Sequence, residues 1–254
     1  MTEPMPSTPK KPLSTADALS FVTDICGKLK TIKRTGWVMR QVPFPESDSD
    51  HMHRCAMLAL LVVQAHNDED DYTSCPQYHP QSIDSSKLLK MALTHDLCES
   101  LAGDITPFCG VSENDKHARE ERAMAQIRAT VGDPLGGELY HYWLEYEQQA
   151  TPEAHYCKDI DKFEMVVQAY EYEKRHLCEK PAEVDPYQDL VARQDLPSVV
   201  QQPLRRFFQT TNTCMKTPIF RRLDRELRER REQMLMTEKG GWKVTDSERQ
   251  AYAA

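Results

Sequence analysis

The sequence predicts an all-α protein built around a single helical bundle, and three observations support this prediction. Only nine of the 254 residues are glycine, no stretch alternates β-branched with polar residues, and Ala, Leu, Glu, Arg, Lys, Gln and Met recur at helical spacing. A chain of this length can bury a substantial core. We expect one main domain over residues 14–185, a disordered tail over 1–13 and a helical extension over 186–254.

The first two helices are predicted from the residues at their starts. Ser14 and Asp17 have the spacing of a capping box, and the apolar residues after them predict a helix that ends near Ile32. Residues 34–50 contain two prolines and a glycine, so they are predicted to form a long ordered loop. A second helix is expected to begin near Asp50, which can cap it.

The segment after the second helix, residues 66–82, is acidic, polar and without helical periodicity. It is predicted to be a mobile surface loop inserted into the main domain. A third helix is predicted over about 85–101 and ends before Gly103, a residue type favoured just after a helix. The fourth helix is expected to begin near Ser112, and the fifth to cover about 137–149.

The last predicted helix is highly charged. Asp224 and Arg228 are four residues apart, and so are Glu226 and Arg230. Opposite charges at this spacing stabilise a helix that is surrounded by water. We therefore expect this helix to be exposed or to face a partner.

Charge and composition exclude several classes of protein. The formal net charge is −8, so the surface as a whole does not attract nucleic-acid phosphates, and no nucleic-acid polymer is expected as a partner. No apolar stretch is long enough for a membrane span, and the N-terminus lacks the apolar core of a signal peptide. The eight cysteines are scattered singly, unlike a disulfide scaffold. These features favour a soluble cytoplasmic protein, with the nucleus as the alternative compartment.

Polar residues that suit a metal site concentrate in the segment LTHDLCESLAGDITP, residues 93–107. His95 and Asp96 are adjacent in an otherwise apolar predicted helix, Glu99 follows on the same helical face, and Asp104 comes after the helix end. Burying a histidine beside an ionised carboxylate is costly, and a divalent cation removes that cost. A lone His-Asp pair is a weak indication, however, and more often belongs to a solvated helix face.

Two further residues strengthen the metal hypothesis. His51 lies at the start of the second predicted helix, in SDHMHR. Asp161, in KDIDKFEM, lies in the sixth predicted helix, which begins at the favourable cap Thr151. Asp161 borders an apolar stripe, where a carboxylate needs a partner.

The order H…HD…D on successive helices is the signature of the HD superfamily of metal-dependent phosphohydrolases. The segments RTGWV, ESDSDHMHR, THDLCESLAGDITP, KHAREERAM, LYHYWLEYE and KDIDKFEMVVQAYEYE resemble one branch of it. This branch is the 5′-deoxynucleotidase family of HD domain-containing protein 2 and its bacterial relatives. The resemblance covers about residues 14–180.

The resemblance implies that His51, His95, Asp96 and Asp161 are the metal ligands, and all four residue types are present. Two imidazoles and two carboxylates leave open positions on a six-coordinate ion. This donor set favours Mn²⁺, Co²⁺ or Mg²⁺, with Fe²⁺ and Zn²⁺ as alternatives.

The resemblance also assigns residues around the metal. Glu99 and Asp104 match the family's further carboxylates, which orient the attacking water, pass a proton to the leaving 5′ oxygen or hold a further metal ion. Arg34 matches the position that contacts the substrate phosphate, and Trp37 matches a tryptophan that crowds the 2′ position of the sugar. In the bacterial relatives the Arg and Trp are adjacent, whereas two residues separate them here. The alternative interpretation is that Arg34 caps the first helix and Trp37 packs in the core.

The function implied is that of a metal-dependent 5′-deoxynucleotidase, a phosphomonoesterase that converts deoxyribonucleoside 5′-monophosphates to deoxynucleoside and phosphate. Its partner is then a small-molecule nucleotide. The resemblance also predicts a homodimer, because the apolar residues of the fifth helix and the charged last helix offer more helical surface than one small core needs. These apolar residues are Leu139, Tyr140, Trp143 and Leu144. Two alternatives are another HD-type phosphohydrolase, acting on cyclic nucleotides, nucleoside triphosphates or another phosphate monoester, and a non-catalytic helical interaction module.

Overall fold

The fold of the protein is all-α, as the sequence predicts. The structure, a computed structural model, describes residues 13–62, 64, 72–178, 204–237, 243–246 and 248–249. In these residues every regular element is helical, and one isolated β-bridge joins Lys33 to Ser47. Most of the predicted N-terminal tail and part of the predicted inserted loop lie outside the described residues, and the division of the chain near residue 185 stays a prediction.

The helical elements are named here in chain order. They are α1 (Thr15–Ser20), a π-helical segment (Phe21–Cys26), α2 (Gly27–Leu29), α3 (Thr35–Met39), α4 (Asp48–Val62), two 3₁₀ turns (Pro76–Tyr78 and Pro80–Ser82), α5 (Ser85–Ala92), α6 (Glu99–Ala102), α7 (Glu113–Val131), α8 (Leu135–Gln148), α9 (Pro152–Cys178), α10 (Arg205–Thr210) and α11 (Pro218–Thr237). None of the helices in the described part of the chain is long and apolar enough to cross a bilayer.

Side-chain caps begin three helices where the sequence predicts them. The hydroxyl of Ser14 accepts a hydrogen bond from the backbone N–H of Asp17, and Ser112 accepts one from Asp115 in the same way. Thr151 does the same at the start of α9. Each cap satisfies a backbone donor that has no partner inside its helix.

Helix α9, 27 residues long, is the centre of the bundle. It packs against α4, α5, α8, α10 and α11. The main core cluster includes the fully buried side chains of Cys55, Leu88, Met91, Ile160 and Phe220. A second cluster joins α7 and α8 to Ile25 of the π-helical segment and Leu29 of α2. Because α9 contacts both α4 and α5, residues far apart in sequence meet along it.

The predicted third helix, over about 85–101, is interrupted. Helix α5 ends at Ala92, and α6 begins only at Glu99. Between them the N–H groups of Thr94 and Leu97 bond to carbonyls three residues back, which tightens the backbone into turns. Gly103 then ends α6 with φ 78°, a conformation that glycine adopts without strain.

The expectation of an exposed last helix is wrong for one of its two ion pairs. Arg228 is buried and donates to Asp224 and to the carbonyl of Phe208, while Arg231 is buried against Glu173 of α9. These acceptors satisfy the guanidinium groups, and the apolar stems of the arginines add packing, so burial is tolerated. The spacing of charges in the sequence indicates the pairing of Arg228 with Asp224 in the same helix, but not the acceptors that other helices provide.

The described part of the predicted surface loop, residues 72–82, also packs against the core. Tyr72 is buried, and the hydroxyl of Tyr156 on α9 donates to the carbonyl of Tyr78 at 2.6 Å. The aromatic side chains of this segment provide apolar area for packing, although its overall composition is acidic and predicts exposure. This part of the segment therefore belongs to the bundle.

Candidate metal centre

The four predicted metal ligands come together from three elements. His51 lies in the first turn of α4, His95 and Asp96 lie in the turns between α5 and α6, and Asp161 lies in α9. One ligand atom from each residue lies within 4.8 Å of the others. Both histidines are fully buried, whereas the two aspartates are partly exposed. The packing of α9 against α4 and α5 creates this arrangement.

The ligand atoms face one another across a short distance. The Nε2 atoms of His51 and His95 are 3.3 Å apart, and Asp96 Oδ2 lies 3.5 Å from the first and 3.3 Å from the second. Asp161 Oδ1 lies 3.5 Å from His51 Nε2. Two imidazole nitrogens and two carboxylate oxygens that converge in this way fit a first-row divalent ion.

Each histidine is oriented by its other ring nitrogen. Nδ1 of His51 lies 2.5 Å from Oε2 of the buried Glu164, and Nδ1 of His95 lies 3.0 Å from the carbonyl oxygen of Ala92. When Nδ1 carries the hydrogen in both rings, Nε2 is left as the metal-binding atom. The carboxylate behind His51 also raises the basicity of that ring.

Asp161 is held in a similar way. Its Oδ2 accepts hydrogen bonds from the Tyr146 hydroxyl at 2.8 Å and from Lys158 Nζ at 3.1 Å. Oδ1 is thereby left to face His51. Burial opposes ionisation of Asp161, but Lys158, His51 and His95 together outweigh it, so the pKa of this carboxyl lies well below its usual value.

The electrostatics of the cluster favour positive charge among the ligands. Burial and the charge of Arg34 oppose protonation of His51, but Cys55, Glu164 and Asp161 favour it, and the pKa of His51 lies well above its usual value. Burial also opposes ionisation of Asp96, yet His95 holds the pKa of that carboxyl well below the usual range. The cluster therefore stabilises positive charge at the position where a cation would bind.

Arg34 lies at the edge of the cluster. Its Nη1 donates to Asp96 Oδ2 at 3.1 Å and lies 3.7 Å from Glu99 Oε2, and its Nη2 lies 3.9 Å from Asp161 Oδ1. Burial opposes its charge, but Asp96, Glu99 and Asp104 outweigh that effect and keep the pKa of Arg34 well above its usual value. Arg34 is thus a permanent positive charge beside the ligands.

Asp104 holds the backbone next to Arg34. Its Oδ2 accepts from the N–H of Thr35 at 2.6 Å, and its carbonyl accepts from the Thr35 hydroxyl at 2.8 Å. Thr35 is the first residue of α3, the short helix inside the segment predicted to be a loop. Asp104 therefore fixes the start of the helix that carries Arg34 into the site.

Two buried carboxyl groups, those of Glu99 and Asp48, lie beside this region. Glu99 is 5% exposed, and its Oε2 accepts no hydrogen bond from the described residues. Burial, and then the charge of Asp96, raises the pKa of Glu99 well above its usual value. Asp48 is 0% exposed, and burial raises its pKa to about 7 although Arg34 opposes the shift. Burial therefore shifts both groups toward the protonated form relative to an exposed carboxyl.

Trp37 is a buried core residue. It is 2% exposed and packs with Tyr172, Phe207 and other apolar residues of α9 and α10. Its Nε1 donates to Glu46 Oε1 at 2.8 Å. These contacts match the alternative interpretation of Trp37 as a core residue, and a direct contact with the sugar stays a prediction.

The sequence reasoning missed several residues that surround the ligands. Lys158 and Glu164 lie three residues before and after Asp161, and Asp48 lies three before His51. This spacing places each of them near its ligand on the same helical face. The sequence thus contained a signal for these three residues.

The family of the chain follows from comparison with known proteins. A model of the HD domain family matches residues 26–198. The chain therefore belongs to the HD domain family, and the resemblance drawn from its motifs is confirmed.

Several relatives are named 5′-deoxynucleotidases. The chain is 46% identical to 5′-deoxynucleotidase HDDC2 of Dictyostelium discoideum over 151 residues, which are 59% of this chain and 75% of that protein. It is 38% identical to human 5′-deoxynucleotidase HDDC2 over 178 residues, 70% and 78% of the two chains. It is 40% identical to 5′-deoxynucleotidase hdd1 of Schizosaccharomyces pombe over 175 residues, 66% and 80% of the two chains.

Solved structures share the fold. The PH0347 protein of Pyrococcus horikoshii OT3 has a TM-score of 0.55 and 24% sequence identity, with 83% of this chain and 96% of that chain covered. A protein of Magnetospirillum magnetotacticum MS-1, described as a predicted metal-dependent phosphohydrolase, has a TM-score of 0.54 and 21% sequence identity. The match covers 86% of this chain and 95% of that chain. At these identities the likeness concerns the fold alone.

Proposed function

We propose that the protein is a metal-dependent 5′-deoxynucleotidase that hydrolyses deoxyribonucleoside 5′-monophosphates to deoxynucleoside and phosphate. The observation that carries this proposal is the convergence of His51, His95, Asp96 and Asp161 beside the charged Arg34. Relatives that are 36–46% identical to this chain over the aligned residues bear the name 5′-deoxynucleotidase, which supports the same substrate class.

In this proposal the four convergent side chains hold a divalent ion, with Mn²⁺, Co²⁺ or Mg²⁺ favoured and Fe²⁺ or Zn²⁺ as alternatives. A bound ion supplies an activated water at neutral pH and neutralises charge on the phosphoryl oxygens. Glu164 and the Ala92 carbonyl orient the two imidazoles. Tyr146 and Lys158 keep Asp161 ionised and turned toward the site.

Arg34 is proposed to bind the substrate phosphate. Its planar guanidinium can donate two parallel hydrogen bonds to phosphate oxygens. Asp96 and Glu99 hold it beside the ligand cluster. Asp104 is a positioning residue in this proposal, because it fixes Thr35, the next residue along the chain.

Glu99 is proposed to be the general acid. It is buried next to Arg34, and burial and the charge of Asp96 raise its pKa, which favours the protonated form. A protonated carboxyl can give that proton to the leaving 5′ oxygen as the P–O bond breaks. The alternative role for Glu99 and Asp104, ligation of a further ion, predicts two metal ions per chain in elemental analysis.

A phosphate-release assay tests the proposal. The panel contains dAMP, AMP, a cyclic nucleotide, a nucleoside triphosphate and a non-nucleotide phosphate monoester, each with one metal at a time. Preferred release from dAMP supports the proposal, and preference for another member assigns the alternative phosphohydrolase activity. The Asp96→Asn variant, which lacks one proposed ligand, is the inactive control. Release from no substrate with any metal would favour the interaction module.

We also propose a homodimer, but with a different surface from the one expected. Tyr140 and Trp143 pack within the chain's own core. In contrast, Met57, Leu60 and Leu61 are each more than 45% exposed and share one face of α4. Light scattering is expected to give about twice the chain mass of 29.3 kDa, and Leu61→Lys is expected to reduce it to that of one chain.

The proposed compartment is the cytoplasm, with the nucleus as the alternative. Cys26, Cys55, Cys98, Cys109, Cys157 and Cys214 are free thiols. Free thiols are typical of reducing compartments. Fractionation of cells that express the tagged full chain tests this location.

A further inference from the structure

Helices α10 and α11 lie beyond residue 198, where the match to the HD domain family ends, yet α10 packs against the helix that follows Arg34. We propose that Phe207 of α10 is a positioning residue that fixes α3, and through it Arg34, for binding of the substrate phosphate. This role of Phe207 rests on the proposed function of Arg34. It makes the C-terminal helices part of the phosphate-binding side of the site.

Phe207 packs against two consecutive residues of α3. Its ring lies 4.3 Å from the ring of Trp37, measured between centroids. A Cβ atom on Gly36 would lie 3.4 Å from two carbon atoms of the same Phe207 ring, which is van der Waals contact. Helix α3 therefore touches α10 directly, and the Phe207 ring limits how far α3 can move toward α10.

Backbone hydrogen bonds connect this contact to Arg34. The carbonyl oxygen of Arg34 accepts from the N–H groups of Trp37 at 3.1 Å and of Val38 at 3.2 Å, so Arg34 is the N-cap residue of α3. Asp104 holds the N–H of Thr35, the next residue along the chain. A shift of α3 therefore moves the backbone from which the Arg34 side chain extends. Small displacements of a charged group weaken its contact with a bound phosphate.

Helix α10 also contacts the segment that follows Asp104. The guanidinium carbon of Arg206 lies 4.5 Å from the centroid of the Phe108 ring, a cation–π contact. Phe108 is four residues after Asp104. Consecutive residues of α10, Arg206 and Phe207, thus contact both of the segments that the hydrogen bond between Thr35 and Asp104 joins.

Helix α10 is itself held by α11. The buried Arg228 of α11 donates to the carbonyl of Phe208 at 2.9 Å and to the hydroxyl of Thr211 at 3.0 Å. The guanidinium carbon of the buried Arg231 lies 3.7 Å from the centroid of the Phe208 ring. These contacts give α10 a fixed position, and a fixed α10 can hold α3 in turn.

The experiment measures the Kd of inorganic phosphate for the Co²⁺-loaded full-length protein by calorimetry, together with KM and kcat for dAMP. Phe207→Ala removes the contact with α3 and is expected to raise the phosphate Kd and KM by roughly 2- to 12-fold, the effect of one hydrogen bond. The value of kcat and the visible spectrum of the bound Co²⁺ are expected to stay unchanged, because none of the proposed ligands lies on α3 or α10.

Two variants separate positioning from general destabilisation. Phe207→Leu retains apolar bulk against α3 and is expected to bind phosphate nearly as the wild type does. Phe21→Ala is the matched control, because Phe21 is also a partly buried phenylalanine but packs against the second core cluster. It is expected to leave the phosphate Kd and KM unchanged.

A double variant tests whether Phe207 acts through Arg34. Arg34→Met removes the guanidinium and is expected to raise the phosphate Kd by roughly 10- to 100-fold, the effect of a hydrogen bond to a charged group. If Phe207 acts through Arg34, the double variant Phe207→Ala/Arg34→Met binds phosphate no more weakly than Arg34→Met alone. Multiplied losses would overturn the role of Phe207.

Gly36→Leu approaches the same contact from α3 and keeps the test decisive if Phe207→Ala is poorly folded. The added side chain must push α3 away from the Phe207 ring, so the phosphate Kd is expected to rise while the Co²⁺ spectrum stays the same. An unchanged phosphate Kd in folded Phe207→Ala and in Gly36→Leu overturns the role of Phe207 and leaves the proposed function intact. A Co²⁺-loaded wild type that neither binds phosphate nor hydrolyses dAMP overturns both.

Discussion

The Nε2 atoms of His51 and His95 lie 3.3 Å apart in the interior of the bundle, with Asp96 Oδ2 within 3.5 Å of both. Nitrogen lone pairs at this distance repel each other unless a positive charge lies between or beside them. A divalent ion supplies that charge in the proposed enzyme.

Removal of metal is expected to abolish phosphate release. The water that attacks phosphorus needs a bound ion in order to ionise at neutral pH. Dialysis against a chelator followed by addition of Mn²⁺ or Co²⁺ alone should restore turnover. Full turnover by protein whose metal content is shown to be nil would contradict the prediction.

Metal affinity is expected to fall as the pH is lowered. The pKa of His51 in the ion-free site lies well above its usual value, so at neutral pH the ion must displace a proton. Affinity should therefore decrease by up to about tenfold for each pH unit. Titration calorimetry in buffers of different ionisation enthalpy counts the protons released. Affinity independent of pH, with no proton release, would show that His51 is not a ligand.

Substitution of the two further carboxylates should affect different kinetic constants. Glu99→Gln is expected to lower kcat by roughly 100- to 10,000-fold with metal content unchanged, because it removes the proton donor. Asp104→Asn is expected to act mainly on KM, because it loosens the backbone beside Arg34. The exposed Glu138→Gln serves as control. Unchanged kcat in Glu99→Gln would exclude Glu99 as the acid.

The bulk of Trp37, rather than its N–H, is expected to influence sugar selectivity. Trp37→Ala should raise kcat/KM for AMP relative to dAMP by a factor equivalent to about 1–3 kcal/mol, because the family resemblance implies that this side chain crowds the 2′ position. Trp37→Phe should leave the ratio near that of the wild type. If the wild type hydrolyses both equally, or Trp37→Ala slows both in proportion, Trp37 has no part in sugar selection.

Asp48→Asn is expected to stabilise the ion-free protein at alkaline pH. The pKa of Asp48 is about 7 in the folded state, above its value in the unfolded chain, so the native state holds a proton that the unfolded state releases. Stability is therefore lost as pH rises from about 4 to about 7. The variant avoids this loss, which amounts to about 4 kcal/mol at about pH 8 and to less than about 2 kcal/mol at about pH 5. Urea unfolding at the two values measures it, and an equal effect at both would contradict the assignment.

The sequence by itself determined the helical class, the starts of several helices and the order of the proposed ligands. Capping by Ser14, Ser112 and Thr151 can be predicted from the sequence, because the donor and the acceptor are only three residues apart. The ligands could be named because the H…HD…D order and the surrounding segments resemble a known family. These features depend on neighbours along the chain or on motif order.

The tertiary structure alone decided which polar groups are buried and what satisfies them. His51 meets Glu164 across 113 residues, and Arg34 meets Asp96 across 62. Arg231 is buried in a helix whose charge pattern predicted exposure, because Glu173 lies 58 residues away on α9. Burial of a charged group is tolerated only when a partner is brought to it, and that partner is set by the packing of distant elements.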